Sequence, residues 1–103
     1  MDADELFATP EVERLLEALT SLSSVDETRA LLLDLCTVRE IEDFAQRLEV
    51  ARRLDNGESY LAVSEHTGAS STTVSRVSKC LNGSAGGYRL VLERTQSSQA
   101  CSE

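Results

Sequence analysis

Apolar residues recur at three- and four-residue spacing along most of the chain, the period of a helix with one buried face. Val12, Leu15, Leu16, Leu19 and Leu22 form the first stripe, and Thr9-Pro10 ahead of it reads as a cap followed by proline at the first helical position. The spacing predicts a helix over 10–22. Ser24-Val25-Asp26-Glu27 is a capping-box pattern, in which the serine accepts from the Glu27 amide while that carboxylate reaches back. Val25, Thr28, Leu31, Leu32 and Leu35 carry a second helix to about Cys36.

Thr37-Val38-Arg39-Glu40 repeats the box and opens the longest pattern, with Val38, Ile41, Phe44, Ala45, Leu48, Ala51 and Leu54 on one stripe. Asn56-Gly57 closes it. Between alternating strands that pair would signal a hairpin, but neither flank alternates, so it reads as a glycine-ended helix. Such a helix is a rod of about 27 Å. A small monomer cannot hide it without partners on several sides.

After Ser59 the elements shorten. Tyr60 to His66 makes about two turns and stops at Thr67-Gly68; Ser70 or Ser71 caps the next helix, which buries Val74, Val77 and Leu81 and ends at Asn82-Gly83. Ser84 to Gly87 is a small-residue turn before a last short helix at Tyr88-Arg89-Leu90-Val91-Leu92. No strand pattern appears, so the expected class is all-α. The expected organisation is a flexible N-terminal segment over 1–8, one helical domain over 9–95 and a flexible polar tail over 96–103.

Two short helices joined by a glycine turn outline a helix-turn-helix at about 60–82. Val63 lies five residues before Gly68, Val74 six after and Val77 nine after, the positions at which such a motif packs its two helices together. Ser64, four before the glycine, supplies the small side chain that close contact needs. Outward on the second helix remain Ser70, Ser71, Thr72, Thr73, Ser75, Arg76 and Lys79, with no acid between Ala69 and Leu81. Hydroxyls near a helix start can donate to phosphates or base edges, Arg76 can bridge to guanine or phosphate, and Lys79 can neutralise a phosphate. A solvated surface helix without a ligand more usually carries Glu/Lys pairs.

Composition narrows the alternatives. The 103 residues hold 10 basic and 18 acidic side chains, for a net charge of −8, which at first sight argues against a nucleic-acid partner. Residues 1–65 hold 6 basic and 16 acidic side chains, a balance of −10; residues 66–103 hold 4 and 2, a balance of +2. The reading head is therefore mildly basic, and the distal acid implies weak non-specific affinity for DNA. The longest clean apolar run, Ala30 to Leu33, is far too short to span a membrane, and the acidic start is unlike a signal peptide, so a cytoplasmic protein is expected. Cys36, Cys80 and Cys101 make no Cys-x-x-Cys pair, and His66 is the single histidine. Neither a disulfide framework, a metal site nor a cofactor is expected, and no nucleophile–base pair for an enzyme is present. Cys80, near the Val77 stripe, is expected as an inert, half-buried thiol.

From Leu32 to Leu92 the sequence resembles the tryptophan-repressor superfamily, in its YerC/YecD-like branch. The resemblance is carried by Leu32-Leu33-Asp34-Leu35-Cys36-Thr37, Ala45-Gln46-Arg47-Leu48-Glu49-Val50-Ala51, Thr67-Gly68-Ala69-Ser70, Ser75-Arg76-Val77-Ser78-Lys79-Cys80-Leu81-Asn82 and Gly86-Gly87-Tyr88. It implies a six-helix subunit whose first three and last helices interlock with a partner's in an intertwined homodimer. The two helix-turn-helix units would then project as reading heads, and the partner would cover the long third helix. In the tryptophan repressor the corepressor's indole lies between two arginines and against a glycine, with a serine close to its amino group. Arg47 and Arg76 match the arginines, but Val77 stands at the glycine and Cys80 at the serine. A valine occupies space the indole needs, and a thiol is a poorer hydrogen-bond partner than a hydroxyl. The resemblance thus implies a remnant effector pocket at Arg47, Arg76, Val77 and Cys80 that does not take tryptophan; whether another effector exists is left open. Arg47 could instead pair with Asp43 or Glu40 on its own helix.

The expected function is a homodimeric transcriptional regulator, a repressor, reading duplex DNA through Ser70 to Lys79 with half-sites about one helical turn apart. The alternative is a helical protein-interaction module without direct DNA binding, which a chain whose one lysine is Lys79 would suit.

Overall fold

The computed structural model describes residues 1–102, with side chains through residue 96. Among these are seven helices and no strand. The chain divides into two compact units, 1–39 and 40–103.

The first unit holds α1 (Ala3–Phe7), α2 (Pro10–Thr20) and α3 (Val25–Leu35). α1 is one helix more than the six expected. It lies in the segment expected to be flexible, and Asp2 starts it by accepting from the Glu5 amide at 2.9 Å. Thr9 precedes Pro10 as expected, but its hydroxyl turns back to the Leu6 carbonyl at 2.8 Å instead of capping α2. α2 stops at Thr20, short of Leu22, because the Thr20 and Ser21 hydroxyls donate to carbonyls of the last turn. The Ser24 box forms with one change: Ser24 accepts from the Glu27 amide at 3.1 Å, while the Glu27 carboxylate takes the amide of Ser23 at 2.9 Å. No residue of this unit is buried. Leu15, Leu16 and Leu19 remain about 40% exposed, and Val25 is 83% exposed.

In the second unit, α4 (Val38–Asp55), α5 (Tyr60–Thr67), α6 (Ser71–Leu81) and α7 (Gly87–Ser102) enclose a small aliphatic core. α4 begins just before the division between the units. The core is Val50, Ala51, Val63, Ala69, Val74, Val77, Leu81 and Leu92, with Leu54 and Tyr88 packed against it. The sequence stripe on α4 was centred on Phe44, Leu48 and Ala51; the core takes Ala51 but turns to Val50, about 100° round the helix. Phe44 and Leu48 are left 47% and 41% exposed. α4 thus carries two apolar faces, and only one meets α5 and α6. α7 continues well past Leu92, where the short last helix was expected to end. The segment 96–103, expected as a tail, lies largely outside the described side chains.

Polar contacts lock these elements together. Glu49 accepts from Arg52 at 2.6 and 2.9 Å and from Arg53 at 2.9 Å, and Arg53 reaches on to Glu58 at 3.2 Å. His66 Nδ1 lies 3.1 Å from the same Glu58 carboxylate. The hydrogen bonds from Arg52, and then Arg53, hold the Glu49 carboxyl below its usual value against its partial burial. At Glu58, partial burial pushes the carboxyl up, but hydrogen bonds from His66 and Arg53 outweigh it and leave the group lowered. Arg89 of α7 meets Asp55 at 3.5 Å and donates to Asn82 Oδ1 at 2.9 Å, tying α7 to the ends of α4 and α6.

Two consequences are testable. Gly68 sits at φ +75°, and a Cβ there would meet no atom within 4 Å. Gly68→Ala should therefore cost only its backbone strain, about 1 kcal/mol, lowering the melting temperature by about 4–8 °C, whereas Gly87→Ala should melt with the wild type; circular dichroism melts check both. Second, Glu49 and Glu58 have lowered folded-state pKa values. Their contribution is present above the ordinary glutamate range and is lost as pH falls through the lowered values. Melting temperature should drop from about pH 6 to about pH 3.5, and less steeply in a Glu49→Gln/Glu58→Gln protein; equal slopes would discount the network.

Candidate nucleic-acid interface

α5 and α6 approach closely because small and β-branched residues face each other across a glycine turn. Ser59 starts α5 by accepting from the Ala62 amide at 3.1 Å. Val63 and Val74 are fully buried between the helices and Val77 nearly so, as their distance from Gly68 predicts. Gly68 ends α5 in the left-handed region, its amide donating to the Ser64 carbonyl at 2.9 Å. The Ser64 hydroxyl then donates to the Ala69 carbonyl at 2.6 Å, so this small side chain both permits the approach and bonds across it. The Thr67 hydroxyl donates to the Val63 carbonyl at 2.7 Å and accepts from the Ala69 amide at 3.2 Å. From α4, Gln46 donates to the Thr67 carbonyl at 3.3 Å. The turn is thereby fixed from both sides, and with it the direction of α6.

The seven outward residues named from the sequence do not form one set. Ser70 caps α6: its oxygen accepts from the Thr73 amide and its hydroxyl donates to Thr73 Oγ1, both at 3.1 Å. Ser71, Thr72, Ser75, Arg76 and Lys79 are exposed and line one shallow cleft of about 620 Å³. No acidic residue lines it. Thr73 turns to the other side of α6, half-buried beside α4. Arg76 borders both faces.

A sixth residue lines the first cleft and was not singled out from the sequence. Tyr60, at the start of α5, is 52% exposed, and its hydroxyl donates to Ser78 Oγ on α6. A lone tyrosine after a cap serine carries no period or spacing, so nothing in the sequence marked it.

On the α4 side, Asp43, Gln46, Arg47, Thr73, Arg76, Val77, Cys80 and Tyr88 border a second cleft of about 320 Å³. The four residues named as a remnant pocket are therefore brought together. The Arg47 guanidinium stacks over the Phe44 ring, 5.5 Å from its centroid. Val77 is 2% exposed, and its side chain belongs to the core. Cys80 departs from expectation: it is exposed, because it stands one position off the Val77–Leu81 buried stripe and faces this cleft. Beside it a more apolar groove of about 550 Å³ runs among Phe44, Arg47, Leu48, Cys80, Ala85, Gly87, Tyr88 and Val91. Among the described residues no group of His, Cys, Asp or Glu could hold a metal ion, and no helix is long and apolar enough to cross a membrane.

Known proteins share this arrangement. The Trp repressor protein family matches residues 10–96. YerC of Bacillus subtilis (strain 168) is 40% identical over 89 residues, 86% of each chain. Among solved structures, a TrpR-like protein from Eubacterium eligens ATCC 27750 superposes with a TM-score of 0.83 at 41% identity, over 89% of this chain and 95% of its own. A candidate Trp repressor from Staphylococcus aureus gives a TM-score of 0.83 at 31% identity, over 93% and 96%. With its helix-turn-helix and its likeness to YerC, the chain belongs to the Trp repressor family, on the YerC-like branch.

Proposed function

We propose that this protein is a sequence-specific DNA-binding regulator of transcription, a repressor, acting in the cytoplasm as a homodimer without tryptophan as corepressor. The observation that carries the reading is the exposed face of α6. Ser71, Thr72, Ser75, Arg76 and Lys79 share one acid-free cleft on a helix whose opposite side is locked into a helix-turn-helix. Placed in a major groove, that face offers short hydroxyls near the helix start, one guanidinium able to bridge a guanine edge and one ammonium for a phosphate. Ser70 and Thr73, engaged with each other and with the helix start, hold the reading helix instead of reading DNA.

The dimer is supported by what a single chain leaves uncovered. Phe44, Leu48, Leu90 and Val91 are each more than 40% exposed, and the unit formed by residues 1–39 buries none of its leucines. Apolar surface on that scale marks an interface. An intertwined partner of the same sequence would cover it and set two α6 helices about one turn of DNA apart.

Rejection of tryptophan rests on Val77. Its side chain is anchored in the core and borders the cleft between Arg47 and Arg76, so it cannot swing aside to admit an indole without opening a cavity behind it. Cys80, the thiol on the same wall, replaces a hydroxyl that a ligand amine would use.

Electrophoretic shift on genomic fragments should give a salt-sensitive complex. Arg76→Ala should weaken it by about fivefold or more, and Lys79→Ala should reduce the salt slope by about 0.9. Light scattering should report about twice the 11.2 kDa chain mass. Absence of any shift, with a co-purifying protein bound to the same face, would favour an interaction module. In thermal-shift assays tryptophan should leave the melting temperature unchanged, and several degrees of stabilisation at micromolar ligand would overturn the steric argument.

A further inference from the structure

We infer that Tyr60 is a DNA-backbone contact of the reading head, a role that rests on the DNA-binding reading above. Its position is that of a side wall. The ring stands at the start of α5 and lines the same cleft as Ser71, Thr72, Ser75, Arg76 and Lys79, on the face that would meet the duplex. About half of its surface is open to solvent, so it is not committed to the core. Two cations and no acid line this cleft, in a chain whose net charge is −8, and this local reversal of sign fits a polyanion.

The chemistry follows from the hydroxyl pair. In the free protein the Tyr60 hydroxyl donates to Ser78 Oγ. Either hydroxyl can donate or accept, because each hydrogen rotates. When a phosphate oxygen enters beside α5, the pair can reverse. Ser78 then donates to Tyr60 Oη, and the phenolic O–H is released to donate to the phosphate. Ser78, only half-exposed, keeps the phenol aimed while the proton changes direction. α6 enters the groove in helix-turn-helix docking while the preceding helix lies over the backbone, and that places Tyr60 against phosphate and sugar, not base edges. Tyr60 would therefore tighten binding on every sequence and discriminate little.

A neutral donor releases no counterion, and this separates it from the cations. The test measures binding of wild type, Tyr60→Phe, Tyr60→Ala, Ser78→Ala and Lys79→Ala to two fluorescent duplexes across a salt series. One duplex is selected in vitro from a random-core library and the other is an unselected random sequence. Tyr60→Phe should melt with the wild type and bind both duplexes about three- to tenfold more weakly, along a log–log salt line parallel to the wild type's. Tyr60→Ala should lose at least as much, Ser78→Ala should lose less, and only Lys79→Ala should change the slope. If Tyr60→Phe binds as the wild type does, the assignment is wrong, whether or not Tyr60→Ala fails through a lowered melting temperature. A weakening confined to the selected duplex would overturn it too, since that is the mark of base reading. If the wild type retains neither duplex at low salt, the DNA-binding reading itself falls, and the Tyr60 contact with it.

Discussion

The close approach of α5 and α6 is the constraint on which the reading head depends. Two helices can meet at this distance only if the residues between them are small or branched at Cβ, and if the turn reverses without a side chain in the left-handed region. Val63, Val74 and Val77 meet the first condition and Gly68 the second. Ser64 serves twice, since a larger residue would hold the helices apart and an alanine could not donate to the Ala69 carbonyl. That bond satisfies a carbonyl that the turn would otherwise leave without a helical partner. Everything that α6 presents outward inherits its direction from this arrangement.

The rest of the structure is more sparsely held. The core of the second unit is aliphatic and small, with three fully buried valines as its largest residues. A network of arginines and glutamates near the end of α4 compensates in part, but its members are a quarter or more exposed, and such pairs contribute little individually. Meanwhile leucines on α2 and α3, together with Phe44 and Leu48, stay in contact with solvent. A chain that spends so many apolar residues on its surface is built to be completed by another, and in this family-like architecture a second copy is the economical partner. The acidic balance of residues 1–65 then belongs away from the reading head, where it opposes indiscriminate adhesion to DNA.

Much of the helix pattern was legible in the sequence because its signals are local. Capping serines at 24, 59 and 70, proline at 10 and glycine at 68 act within one turn of themselves, and each stands at an observed helix boundary. Where local signals compete, boundaries shifted. Thr9 turned to Leu6 instead of capping α2, and Glu27 reached Ser23 instead of Ser24, because either donor lay within reach of the same flexible side chain. α1 was overlooked because an aspartate cap ahead of five residues carries no periodicity to detect.

What the sequence determined by itself was the all-helical pattern, the spacing of the helix-turn-helix and the absence of acid on its second helix, all properties of residues close together in the chain. What only the tertiary structure decided was how faces are shared between helices. It chose Val50 over Leu48 for the core, since the face that α5 and α6 cover is set by their packing and not by the hydrophobicity of α4 alone. It turned Thr73 and Cys80 toward α4 while leaving Ser71, Thr72, Ser75 and Lys79 outward. It also brought Tyr60 against Ser78, 18 residues away, which no periodicity could show. The physical reason is the same each time: periodicity specifies a face, but a neighbour's packing decides whether that face is core, cleft or contact surface.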